Sequence, residues 1–240
     1  MNRYSLLALP AILMAGCNFS PTPLRTLNTV GGTRVNSAVE STLMRKTTSL
    51  VLKWNSAGQP DRLAIADVIT YGGAKPAITP PGDWHLIRDD TSPATRQSLY
   101  WHVIRSCDPN MQMWRFSVPT DAQGAMLVLD GFDSKRPIDV SGGNTGGGFV
   151  LKADSIETRH DGDLILGFFA TDFHGFAPGH TSPRRVAVLL DRNQAGATHD
   201  YWVLGAYQQN HGRTGDMRCV AGQVFNWAAA QVAIRRREPK

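Results

Sequence analysis

Short apolar runs that alternate with period two recur along most of this chain. In segment 97–105, Leu99, Trp101 and Val103 fall on one face, and more polar side chains fall on the other. Alternation of this kind is typical of half-buried β-strands. Further apolar runs of strand length occupy segments 49–54, 63–69, 84–88, 113–118, 124–129, 163–170, 185–190, 201–207 and 227–234. About ten short strands separated by turn residues predict an all-β sandwich or barrel.

The composition agrees with one large β domain. The chain has 240 residues, of which 42% are hydrophobic, and its 23 glycines and 14 prolines supply many turns. No internal repeat is evident in the sequence. We expect four parts: a signal at 1–16, a polar tether at 17–46, the β domain at 47–236 and a basic tail at 237–240. The alanine-rich segment 227–234 also suits a helix, but we expect a final strand there.

The first seventeen residues have the layout of an export signal. Arg3 precedes an apolar run over 6–14, and the small residues Ala15 and Gly16 lead directly to Cys17. This ending resembles a bacterial lipobox, which implies cleavage before Cys17 and acylation, including palmitate, of that cysteine. Asn18 in the next position resembles lipoproteins released to the outer membrane. The alternatives are an ordinary signal peptide with a chance cysteine and a buried apolar helix. A transmembrane helix is excluded, because the run is too short to span a bilayer.

The cysteine count fits export and lipidation. The chain has three cysteines, an odd number that calls for an explanation in an exported protein. If Cys17 carries lipid, Cys107 and Cys219 remain and can form a disulfide in an oxidising compartment. Two free buried thiols are the alternative.

An ordered series of short motifs resembles a group of poorly characterised extracellular domains from bacteria and phages. The matching pieces are Tyr71-Gly-Gly-Ala74, the segment 78–88, the aromatic pairs around 100–103 and 114–116, the segment 125–139 and the apolar run 163–169. The match covers about residues 47–236. The resemblance implies an exported, jelly-roll-like antiparallel β-sandwich. It supplies no catalytic residues, and Cys107 and Cys219 are not part of its pattern.

Several polar residues on the predicted strands are candidates for ligand contacts. Tyr100, His102 and Arg115 fall on the polar faces of alternating strands, and Tyr207 and His211 lie at the end of a late strand. The chain also has six tryptophans, and aromatic faces can stack on sugar rings. Trp101 and Trp114 alternate in phase with aliphatic neighbours, so we expect them in the core.

Two groups of residues have side chains that bind metals. Asp172, His174 and His180 lie in a loop after a strong strand and have the donor types that zinc prefers, although their spacing is no known signature. The pairs Asp130/Asp133 and Asp161/Asp163 offer oxygens to calcium. Turn capping explains all these acids equally well. We therefore expect no obligatory cofactor, with calcium left open.

The sequence argues against several functions. It contains no Gly-x-Ser-x-Gly and no His-Glu-x-x-His motif, and nothing ranks its aspartates, among them Asp89, Asp90 and Asp139, as a glycosidase pair. The net charge of +5 is biased towards the basic end of the chain at 235–240, which we expect to be solvated, and no basic helix with aromatics indicates nucleic-acid binding.

We therefore expect an exported, lipid-anchored and non-enzymatic protein that binds a surface ligand, with a glycan as the first candidate. The alternatives are a structural or envelope-assembly lipoprotein that binds protein, a carbohydrate-active enzyme, and a phage-encoded surface module.

Overall fold

The computed structural model describes residues 33–41, 43–54, 60–73, 75–172, 180–181, 186–192, 199 and 201–238. Within these residues the regular elements are all β-strands. In chain order they are β1 Arg34–Glu40, β2 Met44–Lys53, β3 Leu63–Tyr71, β4 Ile78–Thr79, β5 His85–Thr91, β6 Thr95–Val103, β7 Met111–Asp130, β8 Ile138–Ala153, β9 Glu157–Thr158, β10 Asp163–Thr171, β11 His180–Thr181, β12 Ala187–Arg192, β13 Tyr201–Gln208, β14 Gly212–Arg213 and β15 Met217–Ile234.

The strands form two large antiparallel sheets that pack face to face. The first sheet has the order β1-β7-β3-β6-β5, with β2 and β4 also pairing with β7. The second sheet has the order β11-β15-β10-β13-β12, with β8 also pairing with β15. The predicted all-β sandwich is confirmed, with fifteen strands in the described residues rather than about ten. Segment 227–234 is a strand, as expected.

Each sheet is built from one contiguous half of the chain, and the two halves follow the same path. In the first sheet β3 lies between β6 and β7, and β5 is the outer partner of β6. In the second sheet β10 lies between β13 and β15, and β12 is the outer partner of β13. Even the irregularities correspond, since the register shifts once between Leu86 and Arg88 in β5 and once between Val188 and Leu190 in β12.

The shared path is an internal repeat of structure that the sequence did not reveal. Leu63 of β3 pairs with Val103 and Leu129, and Leu164 of β10 pairs with Tyr207 and Ile234 in the same arrangement. These aligned positions share burial but seldom the residue type, because packing requires only an apolar side chain of suitable volume. For the same reason, the two copies can diverge beyond recognition while they retain one topology.

The longest strands fold back over the outer faces of their own sheets. The second half of β7 pairs with β1 and β3, whereas its first half pairs with β2 and β4. We call β2, β4 and residues 111–120 of β7 the first flap. The equivalent second flap consists of β11, the end of β8 over 148–153 and residues 217–220 of β15.

Three apolar clusters result from this arrangement. The central core lies between the sheets and includes Leu63, Leu127, Leu166 and Val232. The first outer cluster lies between the first sheet and the first flap, and the second outer cluster lies between the second sheet and the second flap. Both faces of β3 and β10 are therefore covered, and every residue of these two strands is buried.

The core prediction is confirmed for Trp114 and only partly for Trp101. Trp114 is fully buried, but it lies in the first outer cluster rather than between the sheets. Trp101 is half-buried, packs against the edge of the central core and stacks on the exposed His85 with 4.4 Å between ring centroids.

Both ends of the predicted β domain extend further than expected. Strand β1 pairs with β7 from Arg34 to Glu40 and β2 begins at Met44, so the described residues of 34–46 lie in the first sheet and its flap rather than in a tether. At the other end, the amide of Arg237 donates to the carbonyl of Gly131 at 2.9 Å, and Arg236 forms a β-bridge with Phe132. The tail is thus held against the end of β7 through residue 237.

Strand β8 was missed because its glycine-rich sequence is typical of a turn. The structure gives several of these glycines a steric reason. A Cβ on Gly143 would lie 2.4 Å from the Arg88 guanidinium, and a Cβ on Gly146 would lie 2.6 Å from the indole of Trp227. Bulky neighbours, rather than a turn, thus account for glycine in this strand.

One carboxyl group lies inside the central apolar layer. Asp67 of β3 has no exposed surface, and its Oδ2 accepts a hydrogen bond from Gln97 Nε2 at 2.9 Å. Burial raises the pKa of Asp67 to about 8. Its Oδ1 and Gln97 Oε1 are both buried acceptors without a hydrogen-bond donor. A proton on Oδ1 gives this pair of oxygens the donor that it lacks, so the neutral acid suits this environment better than the carboxylate.

Replacing this acid by its neutral amide should change how stability depends on pH. Between the ordinary pKa near 4 and the raised value, native Asp67 keeps a proton that the unfolded chain has lost, so the free energy of unfolding falls as pH rises. We expect the stability of Asp67→Asn to match that of the parent near pH 4 and to exceed it by about 5 kcal/mol at pH 8, at about 1.4 kcal/mol for each pH unit between the two pKa values. Urea denaturation at pH 4, 6 and 8 measures this, and parallel pH profiles for the two proteins would contradict it.

Candidate ligand-binding site

Two of the predicted contact residues are buried beneath the first flap. Tyr100 and His102 are each 4% exposed, and Tyr100 belongs to the first outer cluster. The His102 ring stacks on Trp84, and its Nε2 lies 2.7 Å from Asp108 Oδ2. Although burial alone raises the pKa of Asp108, hydrogen bonds from His102 and from the amide of Arg105 outweigh burial and lower it. Tyr100 and His102 therefore hold the fold together rather than facing a ligand.

The other three predicted contact residues do not come together. Arg115 lies on the exposed face of the first flap, opposite Ser49 of β2. Tyr207 is half-buried, and its hydroxyl donates to the carbonyl of Thr33. His211 is exposed, and its Nδ1 lies 2.8 Å from Asp161 Oδ1. No single surface thus unites the five predicted residues.

The predicted zinc ligands lie partly outside the described residues. His174 is outside them, and of His180 only the backbone, in β11, is described. Asp172 accepts hydrogen bonds from the backbone and side-chain amides of Asn226, at 3.0 and 2.9 Å. Among the residues that the structure describes, no group of three potential metal ligands is found.

The predicted calcium pairs are engaged with protein groups. Asp130 accepts a hydrogen bond from Asn36, Asp133 binds Arg235, and Asp161 binds His211. Asp163 is buried at the start of β10.

No disulfide joins the two described cysteines. Cys107 is exposed in the loop between β6 and β7, and Cys219 is buried in the second outer cluster. The structure therefore favours the alternative of two thiols, of which only Cys219 is buried. Cys17 and the signal lie outside the described residues. No described segment forms a helix long and apolar enough to cross a membrane.

A pocket of about 430 Å³ opens at the end of the second sheet, within the volume range of small-ligand sites. We call it the arginine pocket. Its walls come from the start of β8, the turn between β9 and β10, and the chain just after β15. The lining residues are Arg136, Ile138, Asp139, Arg159, His160 and Arg235.

Backbone contacts fix the arrangement of this pocket. Asp139 Oδ2 accepts a hydrogen bond from the amide of Arg159 at 2.6 Å, which joins the turn to β8. The amide of Arg235 donates to the carbonyl of Pro137 at 2.8 Å, which joins β15 to the start of β8. Asp133 accepts hydrogen bonds from two amides of its turn and pairs with Arg235 Nε at 3.2 Å. The walls are thus positioned without using the guanidinium groups of Arg136 or Arg159.

Carboxyl groups lie at the base of the pocket. The Asp139 side chain is 3% exposed, and its Oδ1 lies 3.6 Å from His160 Nε2. Burial, together with the negative charge of Asp139, raises the pKa of the neighbouring Asp163 to about 7. Below that pH Asp163 is mainly protonated, because ionising it would place a second negative charge in a buried position beside Asp139.

Cations lie at the rim of the pocket. Arg136 and Arg159 are exposed, and neither guanidinium has a carboxylate partner among the described residues. A free guanidinium offers several donors in one plane and binds carboxylate, sulfate or phosphate groups in a bidentate way. The imidazole of His160 and the edge of Ile138 complete a surface that suits a ligand with both acidic and hydroxyl groups.

Sequence reasoning missed this pocket because its residues lie far apart along the chain. Arg136, Arg159 and Arg235 belong to three different connections, and Arg235 was assigned to a solvated end. The sequence gives only a weak indication of the arginine pocket. Segment 133–139 contains Asp133 and Asp139 on either side of Arg136. Nothing in the sequence indicates that this segment lies near segment 159–163 in the fold.

The chain matches no protein-family model, no curated protein and no solved structure.

The two described cysteines should differ in reactivity. We expect iodoacetamide to modify Cys107 in the native protein and to modify Cys219 only after unfolding, because the second flap encloses the Cys219 thiol. Peptide mass mapping of the mature chain, purified without reductant, identifies each modified site. A peptide that joins residues 107 and 219 before reduction would show the disulfide instead.

Proposed function

We propose that this protein is an exported, lipid-anchored β-sandwich that binds an acidic carbohydrate in the arginine pocket and does not transform it. The observation that carries the proposal is the pair of exposed guanidinium groups of Arg136 and Arg159, which have no carboxylate partner among the described residues. A solvated surface usually mixes both signs of charge, so two free arginines that flank a pocket favour an anionic ligand.

The base of the pocket favours a sugar over a simple anion. Asp139 and His160 place a carboxylate and an imidazole within reach of ligand hydroxyl groups, which donate to the first and bond to the second. A small anion such as sulfate has no hydroxyl group to satisfy Asp139 and is repelled by it. A sugar that carries a carboxylate, sulfate or phosphate satisfies both the arginines and the acid.

The carboxyl pair favours binding over glycoside hydrolysis. Hydrolases keep their two acids about 5–9 Å apart, one on each side of the scissile bond, and both reach the substrate. Here Asp163 has no exposed surface, so its carboxyl group cannot reach a bound sugar. Asp163 instead interacts electrostatically with Asp139 from a buried position. This geometry therefore favours a binding protein over a carbohydrate-active enzyme.

A glycan array probed with the mature chain tests this proposal. We expect saturable binding to acidic glycans, and we expect Arg136→Gln and Arg159→Gln each to weaken it by about tenfold, because each removes a charge-assisted contact. Arg115→Gln is the matched control, since Arg115 is also an exposed arginine but lies on the first flap. Binding that prefers neutral glycans, or that survives the double pocket variant, would overturn the acidic-sugar assignment.

The lipid anchor is a separate part of the proposal and has its own test. We expect the native chain to fractionate with membranes and to carry acyl groups on Cys17, and Cys17→Ser to abolish the acylation. Metabolic labelling with palmitate, followed by mass spectrometry of the N-terminal peptide, measures both. A mature chain that begins elsewhere and carries no lipid would show an ordinary export signal.

A further inference from the structure

The outer faces of the two flaps occupy equivalent positions and both expose apolar side chains, among them Val150 and Val220 on the second flap, but they differ in how their charges are paired. In the second flap, Lys152 and Arg218 face each other across β8 and β15, and each pairs with an acid: Lys152 with Asp154 at 2.7 Å, and Arg218 with Asp216 at 2.9 Å. Such balanced ion pairs are typical of a surface that remains in water. The second flap therefore shows how this fold finishes a solvated face.

On the first flap the exposed apolar side chains lie beside cations that have no acidic neighbour on the flap. Val51 of β2 faces Met113 of β7, and Lys53 faces Met111 in the same register. Val51, Met111 and Met113 are 37%, 51% and 42% exposed. Beneath them, Leu50, Leu52 and Trp114 point inwards and fill the first outer cluster, so the outward positions contribute nothing to the core. We call Val51, Lys53, Met111, Met113 and Arg115 the flap face.

The charge of the first flap has one sign. Strand β2 and residues 111–120 of β7 carry Arg45, Lys46, Lys53 and Arg115 and no acidic residue. Arg45 lies 3.7 Å from Asp121 at the base of the flap. Lys53 and Arg115, which flank the exposed methionines, have no ion-pair partner among the described residues. Apolar side chains between unpaired cations are the composition that docks on an anionic lipid surface.

The path of the chain brings this face near the proposed lipid anchor. Leu63 pairs with both Val103 and Leu129, so the loop that leads from β6 to Met111 and the end of β7 lie at the same end of the first sheet. Thr33 lies at that end too, because its hydroxyl donates to the carbonyl of Gly131 at 3.3 Å. The 16 peptide steps from Cys17 to Thr33 span at most about 55 Å, so a lipid on Cys17 keeps this end of the first sheet within reach of a bilayer.

We propose that the flap face docks on the anionic lipid surface to which Cys17 anchors the chain. This proposal rests on the proposed function, because the anchor supplies the membrane. The lipid brings the protein to the bilayer, and the flap face then sets its orientation with a weak second contact. Docking through the first flap leaves the second half of the chain, with its ion-paired flap and its arginine pocket, to face other ligands.

Vesicle co-sedimentation of the full mature chain carrying Cys17→Ser tests the docking without the lipid. The probes are vesicles of phosphatidylglycerol and phosphatidylethanolamine, and vesicles of phosphatidylcholine as the neutral comparison. We expect binding to the anionic vesicles that weakens with salt and is much reduced on the neutral ones. No binding to either vesicle would overturn the proposal, and the exposed patch would then fit a protein partner of the envelope.

Two pairs of variants separate the apolar and the charged contributions. Lys53→Gln with Arg115→Gln should weaken binding to the anionic vesicles by about thirtyfold, since each cation near such a surface contributes about fivefold. Val51→Ser with Met113→Ser should weaken binding to a similar degree through lost apolar burial.

Each pair has a matched control elsewhere on the surface. Lys152→Gln with Arg218→Gln removes the two cations of the second flap, and Val150→Ser with Val220→Ser removes an exposed apolar pair from the same flap. Both controls should bind vesicles as the parent does. Equal losses in the flap variants and their controls would overturn the flap face as the docking site. Because the protein in these assays lacks the lipid, a failed anchor shows in the palmitate experiment and a failed docking face shows here.

Discussion

The structure depends on covering both faces of its two central strands. Every residue of β3 and β10 is buried, although a sheet in a two-layer sandwich normally leaves one face to water. Packing the sheets together buries one face of each. The flaps bury the other, because β7 and β15 continue past the sheets and fold back over them. Apolar runs without strict alternation, such as 163–170, follow directly from this double covering.

That constraint explains which parts of the fold the sequence predicts. The alternation in 97–105 and the apolar runs near 63 and 163 mark strands because a strand with buried faces needs apolar side chains. Strands β1 and β8 escaped detection for the opposite reason, since one is polar and the other rich in glycine. Their positions are set by hydrogen bonding to β7 and β15 and by the bulk of Arg88 and Trp227, and these are tertiary effects.

The candidate sites were less predictable than the fold. Tyr100 and His102 alternate out of phase with the core residues of β6, which indicates a polar face, but the first flap covers that face. A period of two distinguishes two faces and cannot tell which of them meets water. The arginine pocket depends on three connections that meet only in the folded chain. Of the three residues that the alternation places on polar faces, only Arg115 is exposed.

The two halves of the chain share one topology but have different surfaces. Two halves with one path differ where they meet solvent, the first with an apolar and basic flap and the second with ion pairs and a pocket. Differences of this kind tell more about function than either half alone, because each half serves as the structural reference for the other.

A single half, made alone, would expose the whole face that now forms the central core. A chain of that kind would be soluble only by pairing with a second copy through that face, as symmetric dimers do. The present contiguous halves are what fusion of two such copies would leave. In a symmetric dimer both subunits have the same sequence, so every substitution appears on both surfaces. In a fused chain the two halves have separate sequences, so a substitution can change one surface alone. The asymmetry between the flaps is thus an evolutionary option that a dimer of identical chains does not have.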